Sequence, residues 1–182
     1  MATHKPVSVE DLYGDLTPGL AGRRWWVIYT KSRQEKKLAT YARQREISYY
    51  LPLQESVRHY RYRKLIFSKP LFSGYIFVKC DNEEKNQLTL SGCVVNFLEV
   101  VDEVELVHEL QQIFRGQQKG ADLRPAEFVK KGTRVEIVAG PFTGLTGVVK
   151  DHNNVYEVLL QVHLLHQAVA VVASTDQIKV VK

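Results

Sequence analysis

Apolar positions along this chain alternate between short continuous runs and helical spacing, and the alternation predicts its elements. Trp25-Trp26-Val27-Ile28-Tyr29 is a compact aromatic and β-branched run, which predicts a buried strand. Ser32-Arg33-Gln34-Glu35 fits a capping box, with Ser32 as cap and Glu35 reaching back to it. The helix it opens extends to about Glu46, with Leu38, Tyr41, Ala42 and Arg45 on one face. Tyr49-Tyr50-Leu51 reads as a strand stopped by Pro52, and Val57–Lys64 as a basic, aromatic-laced hairpin arm. Tyr75-Ile76-Phe77-Val78 is apolar at every position, the pattern of a strand buried on both faces. Asp81–Leu90 is predicted helical and Val94–Val100 a strand. Glu103–Phe114 reads as an amphipathic helix with Val104, Val107, Leu110 and Phe114 inward. Residues 116–127, with Gly116, Gly120 and Pro125 beside Gln117, Gln118 and Lys119, have the composition of a linker. Beyond them, Arg134–Val138, Gly147–Lys150, Val155–Val162, Val169–Val172 and Ile178–Val181 are short β-branched runs between turns such as Asp151–Asn154.

The fold class is therefore α+β: an α/β sandwich, an antiparallel sheet with flanking helices, over 25–115, then a small all-β barrel over 128–182. Residues 1–24 are polar and glycine-containing and read as a flexible tail.

Charge sharpens this outline. The total is only +5, but residues 31–79 carry twelve basic against three acidic groups, and residues 80–129 carry four against ten. A basic block followed by an acidic one suits a two-faced surface, one side of it fit for phosphates. Arg58-His59-Tyr60-Arg61-Tyr62-Arg63-Lys64 interleaves cations with rings, the combination used for phosphate contact and base stacking. The cationic start of the first helix, Lys31, Arg33, Lys36 and Lys37, opposes the helix dipole and so calls for another explanation, an anionic partner being one candidate. Tyr29, Phe72, Tyr75 and Phe77, gathered at a sheet edge, would form an apolar patch of the kind that marks a protein interface.

Enzymatic chemistry finds little support. GxSxG, Walker A, HExxH and paired CxxC sequences are absent from the chain. His163 and His166, three apart on a strand, would face opposite ways and not share a metal ion. Cys80 paired with a histidine is the remaining nucleophile candidate, and it requires a thiol of low pKa. Two cysteines, Cys80 and Cys93, build no disulfide framework and fit a reducing, cytoplasmic setting. No apolar run is long enough to span a membrane, and Met1–Arg24 lacks the h-region of a secretory leader.

Several ordered stretches carry a resemblance. Trp25–Lys37, Tyr50-Leu51-Pro52-Leu53, Pro70–Val78 and Gly92–Leu98 resemble the amino-terminal domain of NusG-type transcription elongation factors. Lys131–Val135 through Gly140–Gly147 resembles their carboxy-terminal, SH3-like KOW domain. The stretch Leu165–Ala170 departs from the housekeeping pattern, and the Tyr-Leu-Pro-Leu and Pro-Leu-Phe stretches resemble specialised paralogues of the UpxY, LoaP and RfaH types. The resemblance implies a monomeric, non-enzymatic, cofactor-free antitermination regulator that rides on RNA polymerase. It places Tyr29, Phe72, Tyr75 and Phe77 on the β′ clamp helices and Lys85, Asn86 and Gln87 towards the β subunit. Lys31, Arg33, Lys36 and Lys37 come to lie beside upstream or non-template DNA. Phe142 and Leu145 of the KOW barrel are implied to recruit a small-subunit ribosomal protein or Rho. A stand-alone RNA- or ribosome-binding KOW protein is the rival expectation.

Overall fold

A computed structural model of the chain describes residues 8–60, 63–126, 132–152 and 155–181. Two compact units divide it, Met1–Glu103 and Val104–Lys182.

The first unit is built in the order β1 (Leu12–Tyr13), β2 (Arg24–Thr30), α1 (Glu35–Arg43), β3 (Ser48–Tyr50), β4 (Leu53–Tyr60), β5 (Arg63–Pro70), β6 (Tyr75–Cys80), α2 (Asn82–Leu90) and β7 (Val94–Glu99). Its sheet is antiparallel throughout, in the order β1-β3-β6-β2-β7. The continuous apolar runs Trp25–Tyr29 and Tyr75–Val78 form the two inner strands, where both faces need covering. One face carries Ile28, Tyr49, Ile76, Val78 and Cys80, packed with Leu38, Ala39 and Ala42 of α1 and Leu88 of α2. Trp25, Val27, Tyr50 and Phe77 occupy the other face and are fully buried. β4 and β5 form a separate two-stranded ribbon in continuous register from Leu53↔Pro70 to Tyr60↔Arg63. The basic run expected at its end falls partly outside the described residues, which omit Arg61 and Tyr62.

Two local expectations fail here. Ser32 does not cap α1: the N-cap is Gln34, without a side-chain cap bond. Arg33 takes a left-handed conformation at φ 58°, and Glu35 is buried with its Oε1 accepting from the Gly74 amide at 2.7 Å. The carboxylate thus serves the β5–β6 turn and not the helix start. At the other end α1 stops at Arg43 rather than near Glu46. Glu46 is left-handed at φ 57°, and the Ile47 amide returns to the Ala42 carbonyl at 3.0 Å. α2 follows expectation, with a complete capping box between Asp81 and Glu84.

The expected flexible tail is, from residue 8 on, a strap fastened to the sheet. β1 pairs with β3, and the Leu51 amide donates to the Asp11 carbonyl at 2.7 Å. Trp25 Nε1 donates to the Thr17 carbonyl at 2.8 Å, and Lys79 Nζ meets Asp15 at 2.7 Å. Glu103 accepts from the Gly19 amide at 2.7 Å and the Trp25 amide at 3.0 Å, so one carboxylate joins strap and strand. Composition alone missed this because most of these bonds have a main-chain partner, a group that any sequence carries.

The second unit contains α3 (Glu103–Gln118, all but its first residue), β8 (Arg124–Ala126), β9 (Thr133–Ile137), β10 (Thr146–His152), β11 (Val155–Val162), β12 (Gln167–Ser174) and β13 (Ile178–Val180). A six-stranded antiparallel sheet runs β13-β9-β10-β11-β12-β8. The five expected strands are present within a few residues of their expected ends, and β8 is additional. The helix outruns its expected end at Phe114, and the segment read as a linker supplies its last turn and β8. Gly116 lies against Leu123 and Leu145, where a Cβ would make ordinary contact at 3.5 Å and 3.7 Å. The boundary between compact units therefore falls before α3, not after it. The helix phase also differs. Val104 is 69% exposed, while Leu106, Val107, Leu110 and Ile113 are buried together with the polar Glu109 and Gln112.

Candidate protein and nucleic-acid interfaces

Four groups of side chains were expected to carry contacts. The aromatic quartet separates into two pairs. Register sets Tyr29 opposite Tyr75 and Val27 opposite Phe77, all on one sheet face. Phe77 lies mid-sheet with no exposure, its ring 6.4 Å from Tyr50 and 6.0 Å from Phe72, which is 1% exposed. Those two rings are core, and the expectation that they form an open docking surface is corrected accordingly. Tyr29 and Tyr75 sit at the strand ends, their rings 5.3 Å apart, and Tyr29 is 43% exposed. Gly74 makes room for this pair. Its φ of 87° suits glycine, and an added Cβ would come within 3.1 Å of the Tyr29 ring.

The basic group also divides. Lys31, Arg33 and Lys37 are exposed. Lys36 instead turns to the ribbon, its Nζ donating to the Ser68 carbonyl at 2.7 Å and to Ser68 Oγ at 2.8 Å. Burial pulls its pKa down, with Asp11 and Glu35 opposing that shift. Lys31 and Arg33 precede the helix and Glu35 opens it, so the expected conflict with the helix dipole is milder than the sequence implied.

Lys85, Asn86 and Gln87 lie on α2. Lys85 places its ammonium 3.3 Å from the Trp26 ring centroid and 4.8 Å from that of Phe97, while Asn86 is exposed and Gln87 half-buried. Arg24 lies on Trp26 as well, 4.7 Å from the centroid, giving a cation–aromatic stack that strand periodicity alone did not reveal.

In the second unit, Phe142 is half-buried on the Gly140–Gly144 turn, whereas Leu145 is 1% exposed and lies near Gly116 of α3. Leu145 is thus a packing residue, contrary to its expected place in an open loop. That turn folds back on the sheet: the Gly144 amide donates to the Ile137 carbonyl at 2.7 Å, and Ile137 donates to Leu145 at 2.9 Å.

Sequence reading missed one polar constellation. His163 and His166 lie on and just after a 3-10 turn, not a strand, so their strand-based opposition does not apply. His163 Nδ1 contacts the Glu109 carboxylate, which also accepts from the His163 amide at 3.3 Å. Desolvation raises the Glu109 pKa, against the lowering effect of His163. Glu105, Glu109 and His163 bring one ligand atom each within 4.8 Å of one another, beside a cavity of about 400 Å3 shared with His108, Gln112 and Arg134. Gln112 fixes the same helix face by accepting from the Thr146 amide at 3.2 Å. The Glu109–His163 contact and the Gln112 bond tie helix to sheet; only spatial proximity could have exposed them.

Burial pushes the Cys80 thiol up to about 12, which removes the thiolate a nucleophile needs at neutral pH. No helix among the described residues is long and apolar enough to cross a membrane.

Residues 23–127, more than half of the chain, match the model of the family described as transcription termination factor NusG. No curated protein matches at a significant level. Among solved structures, the chain is similar to one described as domain interaction in Thermotoga maritima NusG. That match has 20% identity and a TM-score of 0.48, covering 88% of this chain and 98% of the other. It is also similar to a chain of the MjSpt4:Spt5 complex, conformation B, at 18% identity and a TM-score of 0.29, with 87% and 97% covered.

Proposed function

The chain belongs to the NusG family, and from that premise we propose that it regulates transcript elongation as a specialised antitermination factor. The first unit binds the β′ clamp helices of RNA polymerase, the β subunit lies on the Lys85–Gln87 side, and pausing and termination are suppressed. The second unit, a KOW domain, recruits a further partner, a small-subunit ribosomal protein or Rho, through Phe142.

The observation that carries this reading is the Tyr29–Tyr75 pair, an aromatic edge left half open on a sheet face that is otherwise buried. Mechanistically, the factor acts as a brace. A ligand that prefers one clamp position by about 1.4 kcal/mol shifts that equilibrium about tenfold, and two rings inserted in a partner groove supply energy of that order. Lys31, Arg33 and Lys37 lie towards upstream or non-template DNA, where their exposed charge lengthens the residence of the complex.

Retention of purified core polymerase on the immobilised chain tests the reading. Tyr29→Ala with Tyr75→Ala is expected to lower retention at least tenfold while the thermal transition moves by no more than a few degrees. Undiminished retention by the folded double variant refutes it.

A further inference from the structure

α3 holds Glu105 and Glu109 four residues apart, so both carboxylates project from one helix face. Two like charges at that spacing repel and weaken the helix that bears them. His163, at the start of the 3-10 turn after β11, faces the pair with its Nδ1. That nitrogen contacts the Glu109 carboxylate and lies 3.9 Å from Glu105, and the three donor atoms fall within 4.8 Å of one another. A single proton on Nδ1 serves one carboxylate at a time, whereas a doubly charged ion attracts all three donors at once.

The frame around these donors is fixed before any ion arrives. Glu109 is buried and accepts from the His163 amide at 3.3 Å, which holds helix and turn together. One turn further on, Gln112 accepts from the Thr146 amide at 3.2 Å, and its Nε2 lies 3.3 Å from His108 Nε2. Glu105 has a half-exposed side chain and supplies the adjustment. Donors held at about 2.1 Å around a tetrahedral ion lie about 3.4 Å apart, so Glu105 swings inward by roughly 1 Å. The cavity of about 400 Å3 beside the three side chains leaves room for water at the remaining position.

We infer that Glu105, Glu109 and His163 form a binding site for a divalent transition-metal ion of the zinc class. One imidazole with two carboxylates suits zinc better than calcium or magnesium, which take oxygen donors. The ion clasps α3 to the turn after β11 and cancels the repulsion between the two glutamates. All three donors lie in the second unit, so ion binding is independent of polymerase. Arg134, exposed at the same cavity, is a competing cation.

The test titrates Zn2+ alone into the full chain, first stripped with a chelator, by calorimetry at neutral pH. One ion per chain is expected, with a thermal transition that rises as zinc is added. Glu105→Gln, Glu109→Gln and His163→Ala should each weaken binding at least about tenfold, the scale for losing a group that orients or ligates a metal. His166→Ala removes an exposed imidazole outside the set and should leave affinity unchanged. Arg134→Gln should bind at least as tightly as wild type. Co2+ in place of Zn2+ should give visible d–d absorption that His163→Ala abolishes, a signature that a plain ion pair between Glu109 and His163 does not produce.

No saturable zinc uptake by the wild-type chain would overturn the inference. Uptake at full affinity in both Glu105→Gln and His163→Ala would overturn it too, because the ion would then sit on other side chains. Ca2+ or Mg2+ binding as tightly as Zn2+ would overturn the zinc class. Glu105 is exposed, so its variant carries the test should Glu109→Gln unfold.

Discussion

Tyr75 and Phe77 are two residues apart on one face of one strand, yet their fates differ. Phe77 pairs across the sheet with Val27 and Tyr50, while Tyr75 pairs with Tyr29 at the strand end. Parity is legible in a sequence; position along the strand relative to its neighbours is not, because it depends on register with residues far away in the chain. The consequence can be measured. Phe77→Ala should cost about 3–5 kcal/mol in denaturant unfolding, the range for emptying a core aromatic site, whereas Tyr29→Ala should cost below about 1 kcal/mol. Any polymerase phenotype of Phe77→Ala is then a folding phenotype. Glu109 is a second residue whose environment the sequence hid. Burial raises its pKa above 4.5, so the folded state holds the proton more tightly than the unfolded state. Stability from this group is present at low pH and declines as pH rises through the elevated pKa. Compared with wild type, Glu109→Gln should gain stability on going from pH near 4 towards neutrality. Parallel urea titrations across that range check the sign.

At the scale of elements, the sequence was informative wherever local rules and tertiary packing agree. β2 and β6 announce themselves by continuous β-branched and aromatic runs, and β11 by a valine-rich run between turn residues. α2 carries its own start signal: Asp81→Ala, which removes half of the capping box, should cost about 1 kcal/mol by chemical denaturation. α1 was misread where those influences part. Ser32 and Glu35 have the right spacing for a capping box, but Glu35 is engaged by the Gly74 amide and Arg33 turns left-handed. The strap was missed for a related reason, since its anchors are single polar atoms without periodicity. It is nevertheless tightly fitted. A Cβ on Gly19 would lie 2.0 Å from the Arg23 carbonyl oxygen, so Gly19→Ala must shift backbone and should destabilise by more than about 1 kcal/mol. An unchanged denaturation midpoint would show that the strap contributes nothing to stability.

For the whole molecule, the expected succession of an α/β unit and a β-rich unit is present, but the dividing point moved. Residues 104–126 read in the sequence as a helix of the first unit and a linker, yet they fall in one compact unit with the strands that follow them. Sequence reading assigns a helix to the nearest preceding elements; only the buried polar face of α3, Glu109 and Gln112, shows where it is held. Backbone chemical shifts within β9 to β13 should be strand-like in the isolated full chain, and a helical pattern across those strands would contradict the described fold.

The strap has a practical corollary for anyone exchanging domains among such factors. The family match begins at residue 23, and the fastening of β1, Asp15 and Gly19 lies upstream of it. A chimera spliced at that point would inherit β3 as a raw border, Lys79 without its counter-ion, and an indole without its acceptor. Borrowing the module intact means cutting some fifteen residues earlier than homology suggests.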